Sequence, residues 1–387
     1  MKALQFSRDV PRYAAARVAG SLVPGKGAGP GPLKLVEADP PEPPSDEWVE
    51  VRPRLAGICG SDLATVDGKS SRYFEPIVSF PFVPGHEVVG DLADDSRVVL
   101  IPVLSCAVRG INPPCEACRE GRVNQCERIA FGHLEPGLQT GYCAETGGGW
   151  STRFVAHRSQ LLPVPDALSD EAAVMVEPTA CAVHAARMVA GLQPASVAVI
   201  GSGTLGLLTV AAMRHVGATP GHIVVTAKYP EQKRLARELG ADQVVSPREL
   251  GRVVRSNTGS FLLGGRQLTS GADVVVDCVG SPDSLAQALQ VVAPGGTVVL
   301  VGMPGTVQVD LTPLWHRETA IRGCYAYTHD DFAAALGVVA DADLGRLVSA
   351  TYPLGRYREA IEHAADAGRR GAVKVAFDLR GEKERTR

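Results

Sequence analysis

No apolar run in this sequence approaches the roughly 20 residues needed to span a bilayer, so a helical membrane protein is set aside and no membrane partner is expected. The opening residues, MKALQFSRDVPRY, have no apolar stretch of the kind a signal peptide needs, and a cytoplasmic protein is expected. An excess of charge of one sign is also lacking: 39 Lys and Arg stand against 42 Asp and Glu, a net of -3. With aromatics at only 5% and no basic stripe to interleave them, nucleic acid is not an expected partner. Internal repeats are absent. What remains is 387 residues with 45% hydrophobic content, enough for two domains with separate cores.

Up to about residue 165 the chain alternates short apolar runs (EWVEVRP, RVVLIPVL, STRFVAH) with Gly and Pro, the pattern of an irregular β domain. The stretch AGSLVPGKGAGPGP, residues 19–32, reads as a surface loop too poor in apolar side chains to pack. Ser169 is placed to cap a helix with Asp170 and Glu171 in its first turn, running through EPTACAVHAARMVAG. Then β-branched runs (SVAVIGSG, HIVVTAK, ADVVVDCVG, GTVVLVGMPG) alternate with helical stretches, which predicts an α/β doubly wound parallel sheet. A last strand, AVKVAFDLR, is expected to return to the first domain. The expected boundaries are 1–166, 167–324 and a return over 325–387.

Within VAVIGSGTLGLLTVAAM, Gly201, Gly203 and Gly206 lie between a strand and a helix, where a G-x-G-x-x-G turn lets a pyrophosphate approach the helix N-terminus. Thr204 and Leu205 share that turn and are expected cofactor-binding residues. The second strand should end in an acid for the adenosine ribose, but IVVTAKYPEQKR has Ala227 there with Lys228 beside it. A 2′-phosphate would meet a lysine and no carboxylate, so NADP(H) is expected over NAD(H), with Thr226, Lys228 and Tyr229 as its readers.

Nine cysteines remain to be placed, four of them within residues 106–126, and in a reducing compartment such clustering favours metal thiolates over disulfides. Cys59, in LAGICGSDLATVDG, admits three readings: buried thiol, nucleophile or metal ligand. His86 and Glu87 in FPFVPGHEVVG, and Glu177 in MVEPTACAVH, turn it toward the third. Thiolate, imidazole and carboxylate from separate elements suit tetrahedral Zn²⁺ with one position open, and Asp62 could orient His86 through the other ring nitrogen.

GICGSD, PGHEVVG, VEPTACAVH, GSGTLG and AVKVAFDL together resemble the zinc-dependent alcohol dehydrogenases of the medium-chain dehydrogenase/reductase superfamily, in the branch of polyol and threonine dehydrogenases. The resemblance implies a GroES-like catalytic domain, a Rossmann cofactor domain and a cleft between them. It implies catalytic zinc on Cys59, His86 and Glu177, with Glu87 as an alternate ligand or a supporting carboxylate. Ser61 becomes the hydroxyl that relays the substrate proton, and Lys374 a basic residue near the pyrophosphate. A homodimer or homotetramer is expected, with a small-molecule substrate bound by loops over residues 64–80 and 132–150, where Tyr142 and Trp150 are candidate contacts.

Two departures qualify it. Relatives place a proton-passing histidine where this chain has Ala64. Their structural-zinc lobe, spanning 102–128 here, reads C-x2-C-x2-C-x7-C; Cys115, Cys118 and Cys126 keep that register, but Asn112 stands at the first position. Cys106, further upstream, is expected to complete the site. Cys143, Cys181, Cys278 and Cys324, and likewise His133, His157, His184 and His329, are expected in the core. The expected function is alcohol oxidation or carbonyl reduction at zinc. Reduction of a conjugated C=C or iminium on the same fold is the alternative, and a non-enzymatic NADPH-binding role the minor one.

Overall fold

In the computed structural model, residues 1–216, 220–264, 267–302 and 305–381 are described. The chain forms two compact units: Met1–Glu177 joined by everything from Thr328 onward, and Pro178–Tyr327.

The first unit begins with β1 (Lys2–Phe6), then α1 (Val10–Leu22) capped by the Asp9 side chain, then β2 (Leu33–Glu37), which pairs antiparallel with β1. Its centre is β3 (Trp48–Gly57), the longest strand of the unit, followed by α2 (Gly60–Val66). β4 (Val88–Asp91), β5 (Arg97–Leu100), the short α3 (Glu116–Arg119), β6 (Phe154–His157) and β7 (Leu161–Pro163) complete the β region. Phe6, Phe82, Trp150, Phe154 and Phe377 are buried together in its core. Ser169 caps α4 (Asp170–Ala173), accepting from the Ala172 N–H at 3.1 Å, and α5 (Val176–Ala190) follows, so the single expected helix is two.

The second unit carries β8 (Ser196–Ile200), α6 (Thr204–His215), β9 (His222–Thr226), α7 (Pro230–Glu238), β10 (Gln243–Val245) and α8 (Leu250–Thr258). After a small hairpin of β11 (Leu262–Leu263) and β12 (Gln267–Leu268) come β13 (Ala272–Asp277), α9 (Pro282–Val291), β14 (Val292–Leu300), α10 (Thr312–Arg317) and β15 (Ala320–Gly323). The strands form one parallel sheet in the order β10-β9-β8-β13-β14-β15. That order reverses beside β8, where open α/β sheets bind dinucleotides. The central strands are buried on both sides, which explains their unbroken Val and Ile runs.

The chain then returns through α11 (His329–Asp341), β16 (Val348–Tyr352), α12 (Tyr357–Ala365) and β17 (Lys374–Asp378). β17 pairs antiparallel with β3, giving a sheet ordered β16-β17-β3-β4-β5-β7 with β6 also on β3. The first unit runs past residue 166 to Glu177 because ion pairs hold α4 to it. Asp170 accepts from Arg54 at 2.9 Å, Arg97 at 3.1 Å and Arg380 at 3.2 Å.

Residues 19–32 correct the expectation of an unpacked loop. α1 covers their first part, and Gly20, Gly25, Gly27 and Ala28 are buried. The cause is Asp67, next after α2, whose two carboxylate oxygens accept from the Gly25 and Gly27 N–H groups at 3.0 Å each. Lys69 adds a bond to the Gly20 carbonyl at 2.7 Å. A Cβ on Gly20 would stand 2.4 Å from Asp67 Cγ, and one on Gly27 2.4 Å from the Val66 carbonyl oxygen. The glycines that made the segment look loose are what allow this approach.

Asp67→Ala should therefore destabilise the first unit by about 3 kcal/mol, because two buried N–H groups lose a charged acceptor. Urea unfolding followed by tryptophan fluorescence measures it; a change under about 0.5 kcal/mol would mean the segment is held by other contacts.

Candidate metal centre and active site

Cys59 ends the extended backbone after β3 and caps α2. Its N–H donates to Asp62 Oδ2 at 3.0 Å, and its side chain takes the reciprocal place in the capping box. The other Asp62 oxygen, Oδ1, lies 3.5 Å from His86 Nδ1 and accepts from Tyr142 Oη at 3.3 Å. Asp62 and His86 are both buried. Burial alone would suppress the charge on His86, but Asp62 and the Cys59 sulfur outweigh it and hold its pKa well above the ordinary histidine value.

The structure brings Cys59, His86 and Glu87 together, with one donor atom from each within 4.8 Å of the others. Glu177, expected from the resemblance as the carboxylate ligand, is buried but is not part of this cluster; it acts on Lys374 at the edge of the site. Glu87 is the carboxylate of the cluster, following His86 directly on the segment leading into β4. Gly57 makes room for it: a Cβ there would meet Glu87 Oε2 at 1.9 Å.

Lys374, at the start of β17, is 2% exposed, pairs its ammonium with Glu87 Oε2 and donates to the Ile58 carbonyl at 3.4 Å. Burial opposes its charge, yet Glu87 and then Cys59 raise its pKa above the usual lysine value. Lys374, expected beside the pyrophosphate, is thus paired with Glu87. A half-buried thiol and a buried imidazole and carboxylate, converging with a compensating cation, form a donor set that fits Zn²⁺.

Ser61 lies in the first turn of α2 and is half-buried. One helical turn on, the Thr65 hydroxyl lies 3.3 Å from the Oη of the buried Tyr142. Sequence reasoning missed Thr65 and left Tyr142 undefined; the structure places the Tyr142 phenol against both Thr65 and Asp62. The i, i+4 spacing of Ser61 and Thr65 was the available signal. Trp150, the other candidate substrate contact, is fully buried and donates its indole N–H to the Gly57 carbonyl at 3.1 Å, a packing role.

The Sγ atoms of Cys106, Cys115, Cys118 and Cys126 also lie within 4.8 Å of one another, so the lengthened loop does bring Cys106 to the other three. Cys106 and Cys126 sulfurs stand 3.7 Å apart, and the Cys115 and Arg128 N–H groups point at the Cys106 and Cys126 sulfurs at 3.4 Å each. Burial pushes the Cys118 and Cys126 thiols up, the latter to about 11, whereas N–H donors from Cys118 and Glu127 overcome it at Cys115 and bring it to about 7. Arg109 anchors the lobe: its buried guanidinium donates to the carbonyls of Leu104, Phe131, Leu134, Glu135 and Gly137. Cys143 is in the core as expected, but Cys181, Cys278 and Cys324 are only partly covered. His157 is buried, His184 half-buried, and His133 and His329 exposed. Those two histidines sit in loop and helix-start positions, where no β pleat turns a side chain inward.

In the second unit Gly201 has φ +96°, and a Cβ on Gly206 would stand 2.0 Å from the Gly201 carbonyl oxygen, so only glycine permits this turn. Gly203 caps α6 with open space around it, and Thr204 and Leu205 begin the helix. Thr226 Oγ1 accepts from the Gly201 N–H at 2.9 Å, bracing the turn. Lys228 is exposed just beyond β9.

Residues 45–166 match a family model described as an alcohol dehydrogenase GroES-like domain, and 204–341 one described as a zinc-binding dehydrogenase. The chain is 30% identical over 353 residues to a sorbitol dehydrogenase of Bacillus subtilis, across 86% of this chain and 90% of that one. It is 29% identical over 328 residues to an L-idonate 5-dehydrogenase (NAD(P)(+)) of Escherichia coli, covering 83% and 89%. A crystal structure from Sinorhizobium meliloti, described as a zinc-binding dehydrogenase bound to NADP, aligns with a TM-score of 0.71 at 25% identity, covering 97% and 98%.

Metal analysis of the purified protein should find about two zinc ions per chain. Glu87→Gln should lose one and Glu177→Gln neither; the reverse order of losses would return Glu177 to the ligand set.

Proposed function

The chain belongs to the zinc-type alcohol dehydrogenases of the medium-chain dehydrogenase/reductase superfamily, in the polyol-dehydrogenase-like branch, and on that footing we propose that it interconverts an alcohol and its aldehyde or ketone using NADP(H). The observation that carries this reading is the convergence of Cys59, His86 and Glu87, with Ser61 two residues after Cys59 in the first turn of α2. Relatives named for sorbitol, L-idonate and D-xylulose support a substrate bearing several hydroxyls.

Cys59, His86 and Glu87 would hold the zinc ion, which when bound would supply Lewis acidity toward the substrate oxygen. Asp62 fixes the His86 ring, and Lys374 balances the carboxylate charge beside it. Ser61 is the group that would take the substrate proton, and the nicotinamide, when bound, would supply the hydride chemistry, which is the cofactor's own. The turn at Gly201, Gly203 and Gly206 receives the pyrophosphate on the α6 N-terminus. Lys228 reads the 2′-phosphate, a role supported by Ala227 standing where a ribose-binding acid would exclude it. The Cys106, Cys115, Cys118 and Cys126 lobe holds a second, structural zinc, which suits a reducing compartment such as the cytoplasm.

No helix among the described residues is long and apolar enough to cross a membrane. A homodimer or homotetramer is supported by the second unit's edge strand β15, exposed along its length with Ile321, and by Trp315 of α10 at 80% exposure.

Matched alcohol, carbonyl, enal and cyclic iminium substrates test the reaction. Polyol oxidation and ketone reduction are expected, and turnover of enals or iminium compounds alone would sink the reading. Cys59→Ala should abolish turnover while leaving NADPH affinity nearly unchanged, measured by nucleotide fluorescence. Lys228→Ala should weaken NADPH by about tenfold and NADH little, the loss of one charge-assisted contact; equal weakening of both would remove the 2′-phosphate role.

A further inference from the structure

Cys59 and His86 reach the site on separate segments, one opening α2 and the other leading into β4, and a phenol from a third segment touches both. We propose that Tyr142 is a positioning residue for the metal: its hydroxyl holds the Asp62 carboxylate toward His86, and this sets how tightly zinc is kept. The inference rests on the reading of Cys59, His86 and Glu87 as the zinc site.

The observations lie entirely within the first unit. Asp62 is 1% exposed, so solvent does not stand in for a missing donor. The Cys59 N–H donates to Oδ2 at 3.0 Å, which alone does not fix the plane of a carboxylate whose last torsion is soft. The second hold is the Tyr142 hydroxyl, which donates to Oδ1 at 3.3 Å. The same Oδ1 faces His86 Nδ1 at 3.5 Å, and a carboxylate oxygen has lone pairs for two donors. Kept in place by the phenol, Oδ1 can orient the imidazole and leave its other nitrogen for the metal.

Packing alone does not call for that hydroxyl. Phe6 and Phe80 lie against Phe82, and the Tyr142 ring lies against Phe82 from 5.2 Å, so the neighbouring positions of this aromatic cluster are filled by phenylalanine. Tyr142 carries the oxygen, and it is the ring that stands beside Asp62. Phe82 precedes His86 by four residues, so the Tyr142 ring leans on the segment of one ligand while its oxygen bonds to the helix that begins at the other. Tyr142 Oη also lies 3.3 Å from Thr65 Oγ1, which donates to the Ser61 carbonyl at 2.9 Å.

The test follows zinc release from the loaded full-length protein to a chromogenic chelator. Cys59→Ala, expected to keep only the zinc of the cysteine lobe, identifies that phase. Tyr142→Phe is expected to release the other zinc about tenfold faster while keeping the lobe zinc. Its Co²⁺-substituted form is expected to show shifted visible bands. Thr65→Val, which removes the other neighbour of the phenol oxygen, is expected to release zinc at the parental rate. Replacing Tyr142 by 4-aminophenylalanine, which keeps a donor at that place, is expected to restore retention. In Asp62→Asn the Cys59 N–H keeps the amide oxygen, so the NH₂ faces the phenol and cannot accept from it. Release is then already fast, and adding Tyr142→Phe is expected to change it no further. Parental release and bands in Tyr142→Phe, or losses that add in the double variant, would overturn the inference. Should Tyr142→Phe fold poorly, shown by loss of the lobe zinc as well, Asp62→Asn decides: parental release there breaks the route through Asp62. A parent that holds zinc only in the lobe would remove the metal assignment and this inference with it. Alcohol turnover enters none of these readouts, so a failure of the proposed reaction is seen separately.

Discussion

The Asp62 carboxylate is the point on which the site depends. One oxygen holds the Cys59 backbone at the start of α2, and the other faces both His86 and Tyr142. A single buried carboxyl thus fixes the Cys59 backbone, faces the imidazole and anchors the phenol. Such a group is costly to bury unless its partners are in place, so forming α2 and assembling the donor set are one event. Glu87 and Lys374 repeat the logic across the sheet: the carboxylate is tolerable inside only because β17 returns from the far end of the chain with a cation.

Much of this was legible in the residues. Gly201, Gly203 and Gly206 announce a turn whose geometry excludes Cβ, and the Val-rich runs announce a sheet covered on both faces. Cys59 and His86 could be paired because thiol and imidazole in glycine-flanked loops suit few other purposes. The choice of carboxylate could not be read in the same way. Glu87 and Glu177 are chemically identical, and only the space left by Gly57 and the position of Lys374 separate them. The 19–32 segment was misread for a related reason: glycine density signals freedom in a sequence, while here it signals contact with Asp67. Thr65 escaped notice because a threonine inside a helix looks like any other until a phenol is found beside it.

The cysteine lobe shows how a ligand can move along the chain while a site keeps its shape. Cys106 lies nine residues before Cys115, yet its sulfur reaches the same cluster as its three companions. Arg109 sits inside the added loop and gathers carbonyls from residues 104 to 137, so the extra chain brings its own support. Its cation also lies within electrostatic reach of Cys126 and Cys106, offsetting the negative charge that thiolates would gather there.

The grip of Asp67 on the segment before β2 has a consequence for motion. That aspartate follows the last turn of α2, while Cys59 and Ser61 stand at the first, so an inserted piece of chain and the helix bearing the reactive groups share one clamp. Amide exchange from residues 20–31 and from α2 would then proceed through a common opening, a single cooperative unit of the native ensemble. A sequence change far from the metal, in a stretch that looks disposable, would be felt as a shift in how often the reactive helix is intact.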